Sequence, residues 1–218
     1  MPDVTIIAQD AITDAVLLII SISLIQRYRK DGSVSALFMF LYLITLGIAR
    51  MCWLFLNGII NLPMPHLANL GFALTFISFG FSILFISRSK TAMGLFLLVL
   101  SMSVLSFSMF PAEYRAYFNG NYWYFIPQQA ENILLIPTML GFLPPAYLLI
   151  YALKAIRLNL RMSALKPALI ALGLVLILLG EAVFYSYARE LIPIEGLRSM
   201  TTSGVICIYA GFSLKSEI

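Results

Sequence analysis

Residues 35–60 read SALFMFLYLITLGIARMCWLFLNGII, a run of 26 residues whose only charged member is Arg50. A transmembrane helix needs about 20 predominantly apolar residues, so this stretch is long enough to cross a bilayer. A charged side chain inside such a span is costly unless it has a partner, a cavity or a function. The stretch therefore predicts a membrane protein and marks one residue as a candidate for its site.

The whole chain shares this apolar character. Its 218 residues are 61% hydrophobic and 11% charged, and its mean hydropathy is +0.94. Soluble domains have roughly 45–50% apolar and about 25% charged residues. The composition excludes a soluble domain, a disordered chain, a disulfide-stapled secreted module and a nucleic-acid binder.

Polar clusters divide the chain into seven apolar stretches that could each form a helix. The longest connector, residues 111–130, is too short for a soluble domain. We therefore predict an all-α integral membrane protein, a seven-helix bundle that forms one domain over residues 1–218. The predicted spans are residues 8–26, 35–60, 67–87, 92–110, 131–155, 167–188 and 197–214.

The positive charges predict the orientation. Arg115, Arg189 and Arg198 fall in one set of connectors beside most of the acids, whereas ten of the fourteen Lys and Arg residues fall in the other. Those ten are Arg27, Arg29, Lys30, Arg88, Lys90, Lys154, Arg157, Arg161, Lys166 and Lys215. Because Lys and Arg accumulate in cytoplasmic loops, we predict a multi-pass cell-membrane protein with its N-terminus outside and its C-terminus in the cytoplasm. The first span lacks the basic start of a cleavable signal peptide, so we expect it to remain.

Three of the ionisable residues inside the predicted spans stand out: Asp14, Arg50 and Glu181. A rise of 1.5 Å per residue places all three roughly 8–12 Å below the outer surface. Arg50 and Glu181 could form a structural ion pair while Asp14 extends toward the headgroups. Alternatively, the acids hold Arg50 so that its planar guanidinium can bind an anionic or polar ligand. A third alternative is a single charge that faces lipid.

Residues at helical spacing from these charges extend the cluster to a polar pocket that opens outward. Asp10 shares a helix face with Asp14, and Gly47 shares one with Arg50. The ligand-binding candidates are Asp14, Arg50, Asn57, Glu181, Tyr185, Thr201, Thr202, Tyr122 and Trp123.

The connector between the fourth and fifth spans contains seven aromatic residues in the twelve positions 114–125, around Asn119 and Gly120. An Asn-Gly pair between β-favouring residues predicts a type I′ turn. We predict a short hairpin over the outer mouth, either as an aromatic belt at the headgroups or as a cap on the pocket.

Two sequence patterns bear on helix packing. Gly71, Thr75, Ser78 and Ser82 form a stripe of small residues, which predicts that the third helix is central and closely packed. Pro137 and the pair 144–145 remove backbone donors, so they predict a bend midway along the fifth helix.

Several kinds of chemistry are disfavoured. His66 is the only histidine, whereas bis-histidine haem and three-histidine zinc sites require more. A retinal Schiff base needs a lysine near the middle of the last helix, and Lys215 lies at its inner end. Cys52 and Cys207 both fall in spans and are read as small buried hydrophobes. We therefore predict no metal, no cofactor and no catalytic residue.

In helix number and orientation the chain resembles the seven-helix sensor modules of prokaryotic receptor histidine kinases. That resemblance implies a non-enzymatic sensor or partner-coupling module. We expect a protein partner at the basic cytoplasmic face formed by Arg157, Arg161 and Lys166, besides the membrane lipid itself. A small-molecule transporter or channel is the alternative, and an intramembrane enzyme acting on lipid through Glu181 or Asp14 is a third.

Overall fold

The computed structural model describes residues 4–55, 64–109, 114–118, 123–127, 137–158, 160–182 and 194–214. Within these ranges the chain forms seven helices and one two-stranded antiparallel sheet. The elements are α1 (Val4–Asp31), α2 (Val34–Leu54), α3 (Pro65–Ile86), α4 (Lys90–Met109), β1 (Tyr114–Phe118), β2 (Trp123–Pro127), α5 (Leu143–Arg157), α6 (Arg161–Ala182) and α7 (Ile194–Ser213).

Local sequence explains where α1 ends and α2 begins. Gly32 adopts a φ of 63°, which glycine tolerates, and its N–H donates to the Tyr28 carbonyl at 2.9 Å. The next residue, Ser33, is the N-cap of α2, and its hydroxyl oxygen accepts from the Ala36 N–H at 3.4 Å. The helix α1 extends past the predicted span 8–26 because its polar last turns do not need to lie in hydrocarbon.

Five stretches of the described chain are long and apolar enough to cross a bilayer: Ile7–Asp31, Val34–Cys52, His66–Ile86, Pro137–Arg157 and Ser163–Glu181. Large apolar side chains such as Ile12 and Ile19 are exposed on these helices, as expected of surfaces that face lipid. The chain is therefore a helical, multi-pass membrane protein. The bundle of seven spans and its orientation stay predictions.

The chain divides into two compact units. The first unit, residues 1–140, contains α1 to α4, which pack in sequence: α1 on α2, α2 on α3, and α3 on α4. Of the five candidate spans, the one in α3 is the most buried. Thr75, Ser78 and Ser82 of its small-residue stripe are buried, and each hydroxyl donates to a carbonyl of the same helix. The predicted close packing of this helix is confirmed.

The second unit, residues 141–218, contains α5, α6 and α7. Its tightest contact joins α6 to α7 at glycines. A Cβ atom placed on Gly173 would lie 2.5 Å from the Gly204 carbonyl oxygen, and one on Gly204 would lie 2.6 Å from the Gly173 carbonyl oxygen. Gly180 and Gly211, each seven residues further along its helix, also face the opposite helix closely. Glycine therefore sets the distance between these two helices.

The helix of the fifth span is interrupted next to its proline pair. Residues 137–141 are helical, Phe142 interrupts the helix, and α5 starts again at Leu143 with Pro144 in its first turn. A proline in the first turn of a helix removes an N–H that has no intrahelical partner there. Pro144 and Pro145 thus follow an interruption at Phe142, whose backbone angles are still helical, and the predicted bend stays a prediction.

The strands β1 and β2 pair from Tyr114 with Pro127 to Phe118 with Trp123. This register is symmetrical about the peptide bond between Gly120 and Asn121, one position after the Asn-Gly pair expected at the centre of the turn. The turn, residues 119–122, lies outside the described residues, and so do the side chains of both strands. The position of the hairpin over an outer mouth stays a prediction.

Candidate functional site

Arg50 lies in the last turns of α2 and is buried, with 2% of its surface exposed. Its Nε donates to Asp14 Oδ1 at 3.0 Å, and its Nη2 donates to Asp10 Oδ1 at 2.8 Å. Both distances are within the range of charge-assisted hydrogen bonds. The hypothesis of a single charge that faces lipid is therefore wrong for Arg50, because α1 covers it and supplies two carboxylates.

The two acids come from α1, where they lie four residues apart and so share one helix face. Asp10 and Asp14 are both buried, and so is Thr13, whose hydroxyl donates to the Gln9 carbonyl at 2.8 Å. Asp14 does not extend toward headgroups, as one hypothesis required. It turns inward because a guanidinium lies within reach on the neighbouring helix.

Close approach of α1 and α2 brings these groups together. A Cβ atom on Gly47 would lie 4.0 Å from Leu17 Cβ, in ordinary van der Waals contact. Gly47 precedes Arg50 by three residues, so both lie toward α1. We call Asp10, Asp14 and Arg50 the charged cluster.

Glu181 belongs to the second unit, at the end of α6. It is buried, and its Oε1 accepts a hydrogen bond from the Thr201 hydroxyl of α7 at 3.0 Å. Thr201 lies beside Gly180, whose missing side chain lets the two helices meet at this level. Sequence reasoning placed Glu181 and Thr201 in one layer, and the structure brings them into contact. The expected ion pair between Glu181 and Arg50 joins different units and stays a prediction.

The remaining candidates divide into two groups. Thr202 is half-buried, and its hydroxyl donates to the Arg198 carbonyl one turn back at 3.0 Å. Asn57, Tyr122 and Tyr185 lie outside the described residues, as does the side chain of Trp123. Their place in a pocket stays a prediction.

Arg198 was assigned to an outer connector, and this assignment is wrong. The residue lies within α7, and it is buried. Residue 198 falls just inside the predicted span 197–214, although its charge was counted with the connector. Helix α7 starts at Ile194, so Arg198 lies in the second turn of the helix.

Two of the buried polar residues of the first unit, Asp10 and Asn69, were not among the candidates that the sequence predicted. The sequence placed Asp10 on the same helix face as Asp14 but did not predict that it binds Arg50. The spacing of four residues between the two acids could have predicted this second partner. Asn69 was not singled out, although it is the only amide side chain in α3. Among the described residues, neither Asn69 Nδ2 nor Asn69 Oδ1 has a hydrogen-bond partner.

Helical periodicity separates Asn69 from the charged cluster. Asn69 precedes Gly80 by eleven residues, which is close to three full turns, so the two share a face. A Cβ atom on Gly80 would lie 2.9 Å from the ring of Phe96, which belongs to α4. Asn69 therefore lies on the side of α3 that faces α4, whereas the acids that hold Arg50 belong to α1.

Metal ligands and cysteines do not form a site in the described ranges. No group of three or more His, Cys, Asp and Glu side chains there could hold a metal ion. Cys52 is buried, Cys207 is half-buried, and both are free thiols. At the predicted cytoplasmic face, Arg157 is exposed and Lys166 is half-buried, while the Arg161 side chain lies outside the described residues.

Comparison of the chain with protein-family models, with curated proteins and with solved structures found no match.

Proposed function

We propose that this chain is a non-enzymatic, receptor-like membrane module that binds a small anionic or polar ligand from the outer side. The charged cluster carries the proposal. Arg50 is the recognition residue, and the two acids of α1 orient it.

The geometry of Arg50 supports this role. A guanidinium recognises carboxylate and phosphate through a planar fork of N–H donors, and recognition improves when the plane is fixed in advance. Asp10 and Asp14 contact Nε and Nη2 and so restrain that plane. Burial lowers the local dielectric, which strengthens each hydrogen bond that the guanidinium makes.

A module that couples to a protein partner needs a surface for that partner. The end of α5 carries positive charges that suit this role. Lys154 and Arg157 are exposed in its last turn, and Lys166 follows in α6. In the proposed orientation this surface faces the cytoplasm, where it would contact an acidic protein partner.

Thermal unfolding of the purified protein in lipid nanodiscs tests ligand binding. Inorganic phosphate, acetate and uncharged glycerol are added separately, and the Tm is measured. We expect phosphate or acetate to raise the Tm, because a ligand that binds only the native state stabilises it by about 2.7 kcal/mol at a hundredfold excess over Kd. Glycerol at the same concentration should not raise it.

The matched variants are Arg50→Lys and Arg88→Lys. Lysine keeps the charge but loses the fork, so Arg50→Lys should abolish most of the Tm shift. Arg88 is exposed and donates to the Ser35 hydroxyl at 3.1 Å, so Arg88→Lys should keep the shift. Equal shifts in both variants would refute the recognition role. Uptake of labelled phosphate into proteoliposomes would instead favour the transporter.

A further inference from the structure

One end of the first unit concentrates positive charge. The last turns of α1 carry Arg27, Arg29 and Lys30. Arg88 lies in the connector between α3 and α4, and Lys90 is the first residue of α4. Four of these five side chains are exposed, and Arg27 is partly exposed. Solvent or a partner can therefore reach nearly all of this charge.

A tertiary contact brings the two groups of cations together. Arg88 Nη2 donates to the Ser35 hydroxyl at 3.1 Å. Ser35 lies in the first turn of α2, four residues after Asp31, which ends α1. The connector between α3 and α4 thus lies beside the turn between α1 and α2, and cations that are distant in sequence share one surface. We call the exposed cations of this surface the basic end: Arg29, Lys30, Arg88 and Lys90.

Acids do not neutralise the basic end. Of the described acids in the first unit, only Asp31 lies at this end, and its carboxylate lies 3.7 Å from Arg27 Nε. Asp10 and Asp14 lie at least 15 residues before Arg29 along α1. Within the described residues, no acid forms an ion pair with the four cations of the basic end. The surface therefore keeps a charge that attracts anions.

The basic end lies where the chain leaves the bilayer. The candidate spans Ile7–Asp31 and Val34–Cys52 are joined here, and His66–Ile86 ends here. A turn between two spans must emerge from hydrocarbon, because open backbone is not tolerated there. Lys and Arg side chains beside the end of a span extend their charged groups to the headgroups. Lipid phosphates are thus within reach of these cations.

The number and spread of the charges favour lipid over a single soluble anion. A cluster of four to eight Lys and Arg residues next to a membrane helix is typical of surfaces that bind anionic lipid. A bilayer presents many headgroups side by side, so it can neutralise both connectors at once. The four exposed side chains enclose no pocket that would hold one small anion.

We propose that the basic end is a binding surface for the headgroups of anionic phospholipids such as phosphatidylglycerol. Arg29 and Lys30 contact the headgroups from α1, and Arg88 and Lys90 contact them from the connector between α3 and α4. The surface is separate from the charged cluster, because Arg50 follows Ser35 by 15 residues, or about 22 Å along α2. It does not depend on the proposed function.

Lipid competition tests the proposal. The purified full chain in detergent micelles is mixed with equal amounts of phosphatidylglycerol and phosphatidylcholine that have the same acyl chains, and native mass spectrometry counts each bound lipid. We expect phosphatidylglycerol to bind preferentially and added salt to weaken this preference, because salt screens exposed charges. The double substitution Arg88→Gln and Lys90→Gln should weaken phosphatidylglycerol binding about tenfold and leave phosphatidylcholine binding unchanged.

Matched variants separate this surface from the net charge of the chain. Lys154→Gln with Arg157→Gln also removes two exposed cations, but from the second unit, where fewer exposed cations are described. This variant should change the lipid preference much less. Arg88→Lys keeps the charge and should keep the preference. The Tm of each variant verifies that it folds.

Three results overturn the proposal. The first is equal binding of the two lipids by the unchanged chain, which would leave the surface to an acidic protein. The second is an equal loss in the two double variants, which would show an effect of net charge alone. The third is displacement of phosphatidylglycerol by inorganic phosphate but not by chloride at the same ionic strength, which would assign the surface to a small soluble anion.

Discussion

At the scale of the residue, the central feature is a guanidinium that two carboxylates hold inside the first unit. Taking one ion out of water costs several kcal/mol, and close partners offset that cost. Two buried acids on one helix and a buried Arg on the next therefore depend on each other. The arrangement specifies how α1 must pack on α2, since a rotation of either helix would separate the charges.

Removal of Arg50 should be strongly destabilising. Arg50→Met keeps much of the side-chain length but leaves Asp10 and Asp14 buried without their described cation. We expect the free energy of unfolding to fall by about 3–5 kcal/mol, the usual cost of breaking a buried ion pair. Denaturant titration in detergent micelles measures the change.

The same substitution at an exposed pair is the control. Arg27 Nε lies 3.7 Å from Asp31 Oδ2, and both side chains are about half exposed. Arg27→Met should lower the free energy of unfolding by no more than about 1 kcal/mol, because water and salt screen a surface pair. If the two variants lose equal stability, the charged cluster does not stabilise the helix pair.

At the scale of the element, glycines decide how α6 meets α7. Lipid supplies no hydrophobic force between membrane helices, so their association depends on close backbone contact. Gly173 and Gly204 each lie against the carbonyl oxygen of the other. This contact also brings Thr201 to Glu181, so glycines that bear no functional group still position a polar contact.

A methyl group at this contact should be disruptive. Gly173→Ala would put its Cβ 2.5 Å from a backbone oxygen, and backbone atoms cannot move aside cheaply. We expect a loss of about 1–3 kcal/mol in the free energy of unfolding, as for other overpacked sites. The Thr201–Glu181 contact should weaken in the same variant.

Gly94 provides the matched control, because a Cβ placed there meets no atom within 4 Å. Gly94→Ala lies inside α4, where alanine is the better helix former, so stability should rise by up to about 1 kcal/mol. We therefore expect Gly173→Ala to lower the free energy of unfolding and Gly94→Ala to raise it. A stabilising Gly173→Ala would contradict the close contact.

At the scale of the whole molecule, the distribution of positive charge predicts how the chain is oriented in its membrane. Cysteine labelling checks that orientation. In a background without Cys52 and Cys207, Asn121→Cys should react with an impermeant maleimide in intact cells. Ser89→Cys, in the connector between α3 and α4, should react only after permeabilisation. The reverse pattern would refute the N-terminus-outside topology and the outward-facing pocket with it.

Much of the architecture follows from local chemistry. Apolar stretches long enough for a bilayer predicted helices, and Gly32 with Ser33 explains one helix boundary within a residue or two. Phe142 shows the limit of this reasoning. Three prolines predicted a bend, and the helix is interrupted at Phe142. The direction that the helix takes after this point depends on what its neighbours can pack against, which local sequence does not contain.

The sequence by itself determined that this chain crosses a membrane as apolar helices, because backbone polar groups in hydrocarbon must be hydrogen-bonded. It also determined that Asp14, Arg50 and Glu181 need partners there, because an unpaired charge in hydrocarbon is costly. Only the tertiary structure decided which partners they contact. Asp10 and Asp14 bind Arg50, and Thr201 binds Glu181. The sequence could not show this, because it gives the depth of a residue along its helix but not the rotation of one helix against the next, which depends on contacts along its whole length.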